Sequence, residues 1–242
     1  MRTFGDSPLI PNKRESTWMG TSDCLTCGMR RLGLFADLIP DDFSLIHALV
    51  DNMKFAPGAT LFQEGDDAHG IFTLRTGVIK LVRTTADGRQ RIVRVLRPGD
   101  VAGLEALARG RYSADAVALT EVSVCRIPLA VIRGLQQQSP RLNHRLTEKW
   151  SCALQEADDW LVDINYGTAR RRVSNFVLKM QGVVEAQTVS LFAREDMGTM
   201  MDLKMETVSR QINALVREGT LKPLDKHGRF YRILNLQQLQ TH

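Results

Sequence analysis

The chain has 242 residues, 43% of them hydrophobic, which is enough to bury a substantial core and predicts two domains. It contains no run of about 18 apolar residues, so we expect no membrane-spanning helix and no membrane partner. The net charge of +5 is carried entirely by residues 167–242, where 12 Lys and Arg stand against 7 Asp and Glu, and such segregation indicates a nucleic-acid-binding C-terminal part.

Residues 1–22 show no periodicity and are rich in Ser, Pro, Gly and Thr, which predicts a loose tail. They also lack the apolar core of a signal peptide, so we expect a cytoplasmic protein. Cys24 and Cys27 follow, and then a short helical stretch toward Leu38 and another from Asp41 to Met53. Four unevenly spaced cysteines in a cytoplasmic chain argue against a structural disulfide framework.

From Lys54 to Pro128 the pattern is all-β, with short apolar runs separated by turn residues such as Asp87-Gly88. The predicted strands are Thr60 to Phe62, Gly70 to Leu74, Val78 to Arg83, Arg91 to Leu96 and Val122 to Ile127. Many short strands at regular spacing favour a barrel or a jelly roll.

After Pro140 the helical period returns, and apolar residues recur in steps of 4, 3, 4, 3 and 4. This spacing is typical of a coiled coil. A long helix with few neighbours would be covered by pairing with its twin, which predicts a dimer interface. The predicted interface residues are Leu146, Trp150, Ala153, Ala157, Trp160 and Ile164.

Near the C-terminus, a short helix from Arg194 to Met201, a three-residue turn and a second helix from Met205 to Glu218 predict a helix-turn-helix. Val208, Ile212 and Leu215 form the apolar stripe of the second helix. Two short strands, Leu221 to Pro223 and Phe230 to Leu234, then predict a wing around a His227-Gly228 turn.

Glu206, Ser209 and Arg210 share another face near the start of that second helix. Arg can donate two hydrogen bonds to guanine, Glu can accept one from cytosine N4, and Ser can serve a base or a phosphate. We therefore predict a DNA-binding set that also includes Thr207 and Lys204. The alternative is a solvated polar face with an ordinary Glu–Arg ion pair.

With its Glu206-Thr207-Val208-Ser209-Arg210 motif, the chain resembles the CRP/FNR family of bacterial transcription regulators, and within it the FNR branch, from about Cys24 to Leu236. The resemblance implies an α+β fold with an N-terminal β-roll like that of cyclic-nucleotide-binding domains, a long dimerisation helix and a C-terminal winged helix-turn-helix. The implied divisions are a flexible tail at 1–22, the roll with its Cys-x-x-Cys lead-in at 23–138, the dimerisation helix at 139–166 and the DNA-binding domain at 167–242.

The resemblance also implies a homodimer, a double-stranded DNA operator of the TTGAT-N4-ATCAA type and contact with RNA polymerase. Two residues depart from the family pattern. Asp202 replaces a Gly that is common in the turn, and Lys204 is a poor N-cap where the family tends to have Ser or Thr.

The family is known to bind two cofactors, cyclic AMP and an iron–sulfur cluster, and this chain differs from the binding pattern of each. Cyclic-AMP-binding members carry Gly-Glu-Leu and Arg-Ser, whereas this chain has Gly103-Leu104-Glu105 and Tyr112-Ser113, with Arg109 and Arg111 nearby, which argues against cAMP. Cys24, Cys27 and Cys125 match three ligands of the FNR-type iron–sulfur cluster. The family has one more N-terminal ligand, and its position falls here at Gly33, which has no donor side chain.

A carboxylate, Asp23 or Asp37, is a candidate fourth ligand, and Cys152 lies too far along the helix. The alternatives are a three-thiol metal site, a thiol–disulfide switch between Cys24 and Cys27, or cysteines with no such role.

Two other functions are the alternatives to a signal-dependent regulator. A metal-dependent enzyme with a cupin-like roll needs several converging His side chains, and the roll has only His69, so we expect no enzyme. A constitutive DNA-binding protein with a silent roll would keep the same DNA affinity with and without oxygen, reductant or ligand.

Overall fold

The computed structural model describes residues 16–21, 24, 27–28, 30–46, 50–181 and 187–241 of the chain. It places a two-sheet β-roll first, a long helix next and a small helical domain with its own sheet last, which confirms the predicted α+β architecture. None of the described helices has both the length and the apolar character needed to cross a bilayer.

Two antiparallel sheets form the roll. One contains, in spatial order, β1 (Ser16–Thr21), β2 (Asp51–Phe55), β9 (Val122–Pro128), β4 (Gly70–Thr76) and β7 (Val101–Ala102). The other contains β3 (Thr60–Phe62), β8 (Asp115–Ala118), β5 (Ile79–Thr84) and β6 (Gln90–Leu96). Their inward side chains alternate with outward ones and meet in one apolar core, as two packed β-sheets require.

Two sequence predictions for the N-terminal part are wrong. Residues 16–21 are not a loose tail, since they form β1 and pair with β2, while residues 1–15 and 22 lie outside the described residues. The helix expected from Asp41 to Met53 is reduced to α1 (Pro40–Phe43), and Asp51–Phe55 is a strand. The reason is long-range, because β2 finds a partner in β9, which a local helical period cannot reveal.

Three helices complete the roll and lead out of it: α2 (Ala106–Arg109), α3 (Leu129–Gln138) and α4 (Pro140–Asn165). α4 begins where the sequence predicts it, because the Ser139 hydroxyl accepts from the Leu142 N–H and Pro140 stands in the first turn. α4 is 26 residues long and so spans about 39 Å, at 1.5 Å per residue.

The C-terminal domain consists of α5 (Ala169–Lys179), β10 (Thr188–Ser190), α6 (Arg194–Met201), α7 (Met205–Arg217), β11 (Leu221–Pro223), β12 (Phe230–Ile233) and α8 (Leu236–Gln240). The helix-turn-helix and the wing are therefore confirmed at the predicted positions. The sheet order is β10-β12-β11, and helices α5 to α7 pack over a core that includes Phe176, Met197 and Met201.

The roll and the C-terminal domain share this core. Four apolar residues of β5, β6 and the turn before β5 join the cluster that holds the C-terminal domain together: Val78, Val82, Ile92 and Val95. Polar contacts reinforce the junction, because Lys80 of β5 pairs with Asp196 of α6, and Arg97 pairs with Glu156 of α4. The position of the helix-turn-helix is thus tied to the roll.

Candidate functional site

α7 is anchored by one face and open on the other. Val208, Ile212 and Leu215 are completely buried in the domain core, as the apolar stripe predicts. On the opposite face, the side chains of Glu206 and Arg210 are exposed. Lys204 is also exposed, and Thr207 and Ser209 are partly exposed. All five residues of the predicted DNA-binding set thus lie at the N-terminal end of one accessible helix.

The alternative reading, in which Glu206 and Arg210 are an ordinary surface ion pair, gains no support. Across the described residues, neither side chain makes a hydrogen bond or an ion pair within the chain. Both groups therefore keep their full hydrogen-bonding capacity for an external partner. An exposed guanidinium in the first turns of such a helix has the donor geometry that guanine O6 and N7 require.

In the turn between α6 and α7, the backbone of the turn lies very close to the backbone of α6. Asp202 adopts the left-handed conformation, with φ of 53° and ψ of 47°, where glycine is more common. A Cβ on Gly198 would lie 2.5 Å from the carbonyl oxygen of Leu203, so this position accepts no side chain without a backbone shift. The Lys204 side chain does not cap α7, as expected, although its carbonyl oxygen accepts from the N–H groups of Thr207 and Val208.

The wing is held in shape by Asp225. Its carboxylate accepts from the backbone N–H groups of Phe230 (2.8 Å), Arg229 (3.0 Å) and His227 (3.2 Å). These donors, Phe230 foremost, hold the pKa of Asp225 below its ordinary value. The wing therefore presents a fixed set of cations that the sequence reasoning did not assign to the site: Lys222, Lys226, Arg229 and Arg232. Their clustering on one hairpin is visible in the sequence and is typical of phosphate contacts.

Three of the six residues predicted for the dimer interface on α4 are buried within their own chain. Leu146, Trp160 and Ile164 are 6%, 5% and 3% exposed, because the first packs on the roll and the other two enter the C-terminal core. These three are buried within their own chain and are not available to a partner.

A neighbouring stripe of α4 is open. Trp150 is 45% exposed, Leu154 65% and Leu161 63%, with Ala153 and Ala157 half-buried beside them. The exposed apolar face of α4 thus runs through Leu154 and Leu161 and includes Trp150, Ala153 and Ala157 of the predicted set.

Tyr112, one of the residues compared above with the cAMP-binding pattern, is buried inside the roll. The ring of Tyr112 stacks on Phe62 with 3.8 Å between ring centroids, and its hydroxyl donates to the carbonyl oxygen of Gly70 at 2.6 Å. A Cβ on Gly103 would lie 2.9 Å from the Tyr112 ring, so the ring covers this glycine closely. Burial raises the pKa of Tyr112 above its ordinary value.

The two nearby arginines do not replace that missing charge. Arg109 is exposed at the end of α2. Arg111 pairs with Asp67 at 3.1 Å on the outer surface of the roll. The Glu105 carboxylate accepts from the Ser113 N–H within the chain. In the described part of the roll, the surroundings of Tyr112 are thus aromatic, and the two arginines nearby lie on the surface.

Comparisons with known proteins agree with the β-roll and the helix-turn-helix described above. The cyclic nucleotide-binding domain family matches residues 52–139, and the Crp-like helix-turn-helix domain family matches residues 171–241. The chain belongs to the CRP/FNR family of transcription regulators.

Several regulators of this family are similar over most of their length. The nitrogen fixation regulation protein FixK of Bradyrhizobium diazoefficiens is 29% identical over 82% of this chain and 85% of its own. The fumarate and nitrate reduction regulatory protein of Escherichia coli is 24% identical over 97% and 98%. The solved structure of FixK2 from Bradyrhizobium japonicum shares the fold, with a TM-score of 0.71 at 24% identity, over 80% of this chain and 96% of that one.

For a CRP/FNR regulator of the FNR branch, the thiols near the N-terminus raise the question of an iron–sulfur cluster. Cys24, Cys27 and Cys125 all line one cavity of about 40 Å³ between the N-terminal segment and the outer face of the five-stranded sheet. The resemblance to the FNR branch matched these three residues, and in the structure they border the same cavity.

The remaining ligand is missing from this cavity. Gly33 offers only its carbonyl oxygen, which accepts from Arg145 Nε at 3.3 Å, and the Asp37 carboxylate also faces Arg145, at 4.0 Å. Cys152 is exposed on α4, and Asp23 lies outside the described residues. In the described ranges, no group of three or more His, Cys, Asp or Glu side chains is placed to hold a metal. The residues do not fit a cluster that normally takes four thiolates.

Proposed function

We propose that this CRP/FNR regulator acts as a homodimer that reads a TTGAT-N4-ATCAA-like palindrome, with its activity set by a redox, oxygen or small-ligand signal at the β-roll. The observation that carries the proposal is the open N-terminal face of α7, where Glu206, Ser209 and Arg210 are held by a fully buried apolar stripe and make no ion pair with one another.

Base readout follows from the chemistry of these three residues. The Arg210 guanidinium would donate to O6 and N7 of the guanine in TTGAT, and the Glu206 carboxylate would accept from a cytosine amino group. Ser209 would contact a base edge or a phosphate. Cations of the wing, such as Lys226 and Arg229, would contact the backbone phosphates and fix the register without reading sequence.

The dimer would form through the open stripe of α4, centred on Leu154 and Leu161. An exposed apolar stripe of this kind on a 26-residue helix is covered most simply by a second copy related by a twofold axis. The two recognition helices would then enter successive major grooves roughly 34–36 Å apart, as a palindrome requires.

Signal transmission would run through the junction between the domains. Because Val82, Ile92 and Val95 of the roll pack in the same core as α6, a change in the roll alters the platform on which the helix-turn-helix rests. The signal would then shift the population between arrangements that differ in the spacing of the two recognition helices. Activation would follow through contact with RNA polymerase, in line with the activator names of several relatives.

A direct test measures binding of the full chain to a TTGAT palindrome in which the guanine is replaced by 7-deazaguanine, which lacks the N7 acceptor. We expect the wild type to lose about 1–3 kcal/mol of binding free energy on this replacement. The Arg210→Ala variant should bind both duplexes equally, because it has already lost the donor.

Arg217→Ala is the matched control, since Arg217 is exposed on the same helix but lies at its other end. It should keep the discrimination of the wild type. Equal affinity of the wild-type protein for the palindrome and for a scrambled duplex would refute sequence-specific reading.

A further inference from the structure

Cys125 occupies a defined position in the five-stranded sheet. It lies on β9 directly opposite Asn52 of β2 on one side and Thr73 of β4 on the other. Its thiol donates to Asn52 Oδ1 at 3.5 Å, and Arg75, two residues beyond Thr73, donates to the same oxygen at 2.7 Å. These side chains share the outer face of the sheet, and three of them, Thr73, Arg75 and Cys125, line the 40 Å³ cavity.

The N-terminal segment closes the cavity from the other side. Cys24 and Cys27 both line it, and Cys24 packs against the same apolar cluster as Cys125. That cluster contains Leu34, Phe35 and Ile127, so the surroundings of the two sulfur atoms are largely apolar. A cavity of this volume has room for a molecule no larger than a few waters.

Thr73 is the unusual residue of the group. It is only 7% exposed, it borders the cavity, and its hydroxyl has no hydrogen-bond partner among the residues that the structure describes. Buried hydroxyl groups are normally hydrogen-bonded, so the Thr73 hydroxyl has the capacity for a further partner in the cavity. An oxygen atom introduced on the neighbouring Cys125 sulfur would be such a partner.

We propose that Cys125 is a hydroperoxide-reactive thiol that is converted to a disulfide with Cys24. In the first step, the Cys125 sulfur attacks hydrogen peroxide, the O–O bond breaks, and a sulfenic acid and water are formed. The Thr73 hydroxyl hydrogen-bonds the sulfenic oxygen. In the second step, the Cys24 sulfur attacks the Cys125 sulfur, the S–O bond breaks and water leaves, so two thiols are oxidised and the peroxide is reduced.

The consequence for DNA binding rests on the proposed function, whereas the chemistry does not. The segment that follows Cys24 is fastened to α4, because Lys149 Nζ donates to the carbonyl oxygens of Leu32 (2.9 Å) and Gly99 (2.7 Å). Arg145 of α4 likewise donates to Gly33. A covalent bond between Cys24 and β9 would therefore act on the helix that carries the proposed dimer stripe.

The test treats the reduced full-length protein with hydrogen peroxide and maps disulfides by peptide mass spectrometry without reduction. We expect a Cys24–Cys125 disulfide in the wild type and in the Cys27→Ser control. In Cys24→Ser we expect a sulfenic acid on Cys125 that dimedone traps. Thr73→Val should slow trapping at least several-fold in that background, and Thr73→Ser should restore it.

A Cys24–Cys27 disulfide, or no oxidation of Cys125 under conditions that oxidise Cys152, would overturn the proposal. Iron and sulfide bound stoichiometrically to anaerobically purified protein would overturn it as well. Binding to the palindrome is measured on the same samples before and after oxidation. Absence of specific binding in both the reduced and the oxidised protein would refute the proposed function and leave the disulfide result unaffected.

Discussion

Lys80 of the roll pairs with Asp196 in the first turn of α6, so strand β5 is joined directly to the helix-turn-helix. Both side chains are largely shielded, in contrast to surface pairs such as Arg111–Asp67. The pair stands beside apolar residues that the two domains share, including Val82. The junction therefore combines burial, which supplies stability, with a charge pair, which fixes the relative position of the domains.

A double-mutant cycle with Lys80→Met and Asp196→Asn should give a coupling free energy of about 1 kcal/mol, because shielded pairs exceed the range of exposed ones only modestly. The cycle is measured by urea unfolding. The same cycle on Arg111 and Asp67 should give about 0–0.5 kcal/mol. Equal coupling energies for the two pairs would contradict the role of the junction.

Gly198→Ala should disrupt the helix-turn-helix. The new Cβ would stand 2.5 Å from the Leu203 carbonyl oxygen, a backbone atom that can move only if the turn opens. Overpacking of this kind costs about 1–3 kcal/mol. We also expect a loss of DNA affinity, measured by fluorescence anisotropy. Gly134→Ala is the control, since that position on α3 has open space for a Cβ. It should be neutral or stabilising by up to about 1 kcal/mol.

Tyr112 should act as a filler of the roll. Tyr112→Phe removes the hydrogen bond to Gly70 and should cost about 1–2 kcal/mol of unfolding free energy. Tyr112→Ala should cost about 3–5 kcal/mol, because it also leaves a cavity beside Phe62. Both are measured by denaturant unfolding, with the exposed Tyr166→Phe as a neutral control. A rise in the melting temperature of the wild type on adding cAMP would show that the ring does not block the nucleotide.

Elements that depend on local interactions could be predicted from the sequence, whereas elements that depend on residues far away in the chain could not. Helix α7 and the wing were predicted closely, since turns and a 3.6-residue period are local properties. A turn does form at Asp87-Gly88, but only Gly88 has a positive φ, so it is not the two-residue type I′ turn that this dipeptide favours. Strand β2 was missed because its evidence is β9, which lies more than 60 residues away along the chain. Thr73 and Asn52 could not be assigned to the cysteine site for the same reason, because only the strand register brings them beside Cys125.

The assignment of three buried residues of α4 to the dimer interface has a different physical cause. Two apolar stripes run along this helix, and the period alone does not say which one faces its own chain. Trp160 and Ile164 are claimed by the C-terminal core and Leu146 by the roll, so the stripe with Leu154 is left outside. Tertiary packing at the two ends of the helix decides the matter.

Leu154→Glu should therefore yield a monomer. A carboxylate at the centre of the open stripe would be buried without a partner in a dimer, whereas in the monomer it is solvated at no cost. We expect the dimer dissociation constant to rise more than tenfold, measured by sedimentation, with the melting temperature of dilute protein unchanged. Val93→Glu, at an exposed apolar position on β6, is the control and should leave the dimer intact. A dimeric Leu154→Glu protein would place the interface elsewhere.

Asp42 should make stability depend on acid pH. Its buried carboxylate accepts from the Ile39 N–H at 2.9 Å and faces Arg141 at 3.4 Å, and these contacts, the first above all, hold the pKa of Asp42 below its ordinary value. Because the folded pKa is lower than that of the unfolded chain, about 3.9, the carboxylate stabilises the fold above that pH. This stabilisation is lost as the pH falls through the folded value. Asp42→Ala should thus cost about 1 kcal/mol at neutral pH.

The cost should shrink below about pH 4, since the wild type then loses the same contacts. Unfolding by urea across this range measures the difference between the two proteins. Asp41→Ala, which removes the neighbouring exposed carboxylate in the first turn of α1, is the matched control. It should cost less than about 0.5 kcal/mol, because only the interaction with the helix dipole is lost. A cost for Asp42→Ala that stays constant from neutral to acid pH would show that the side chain acts by packing and not by its charge.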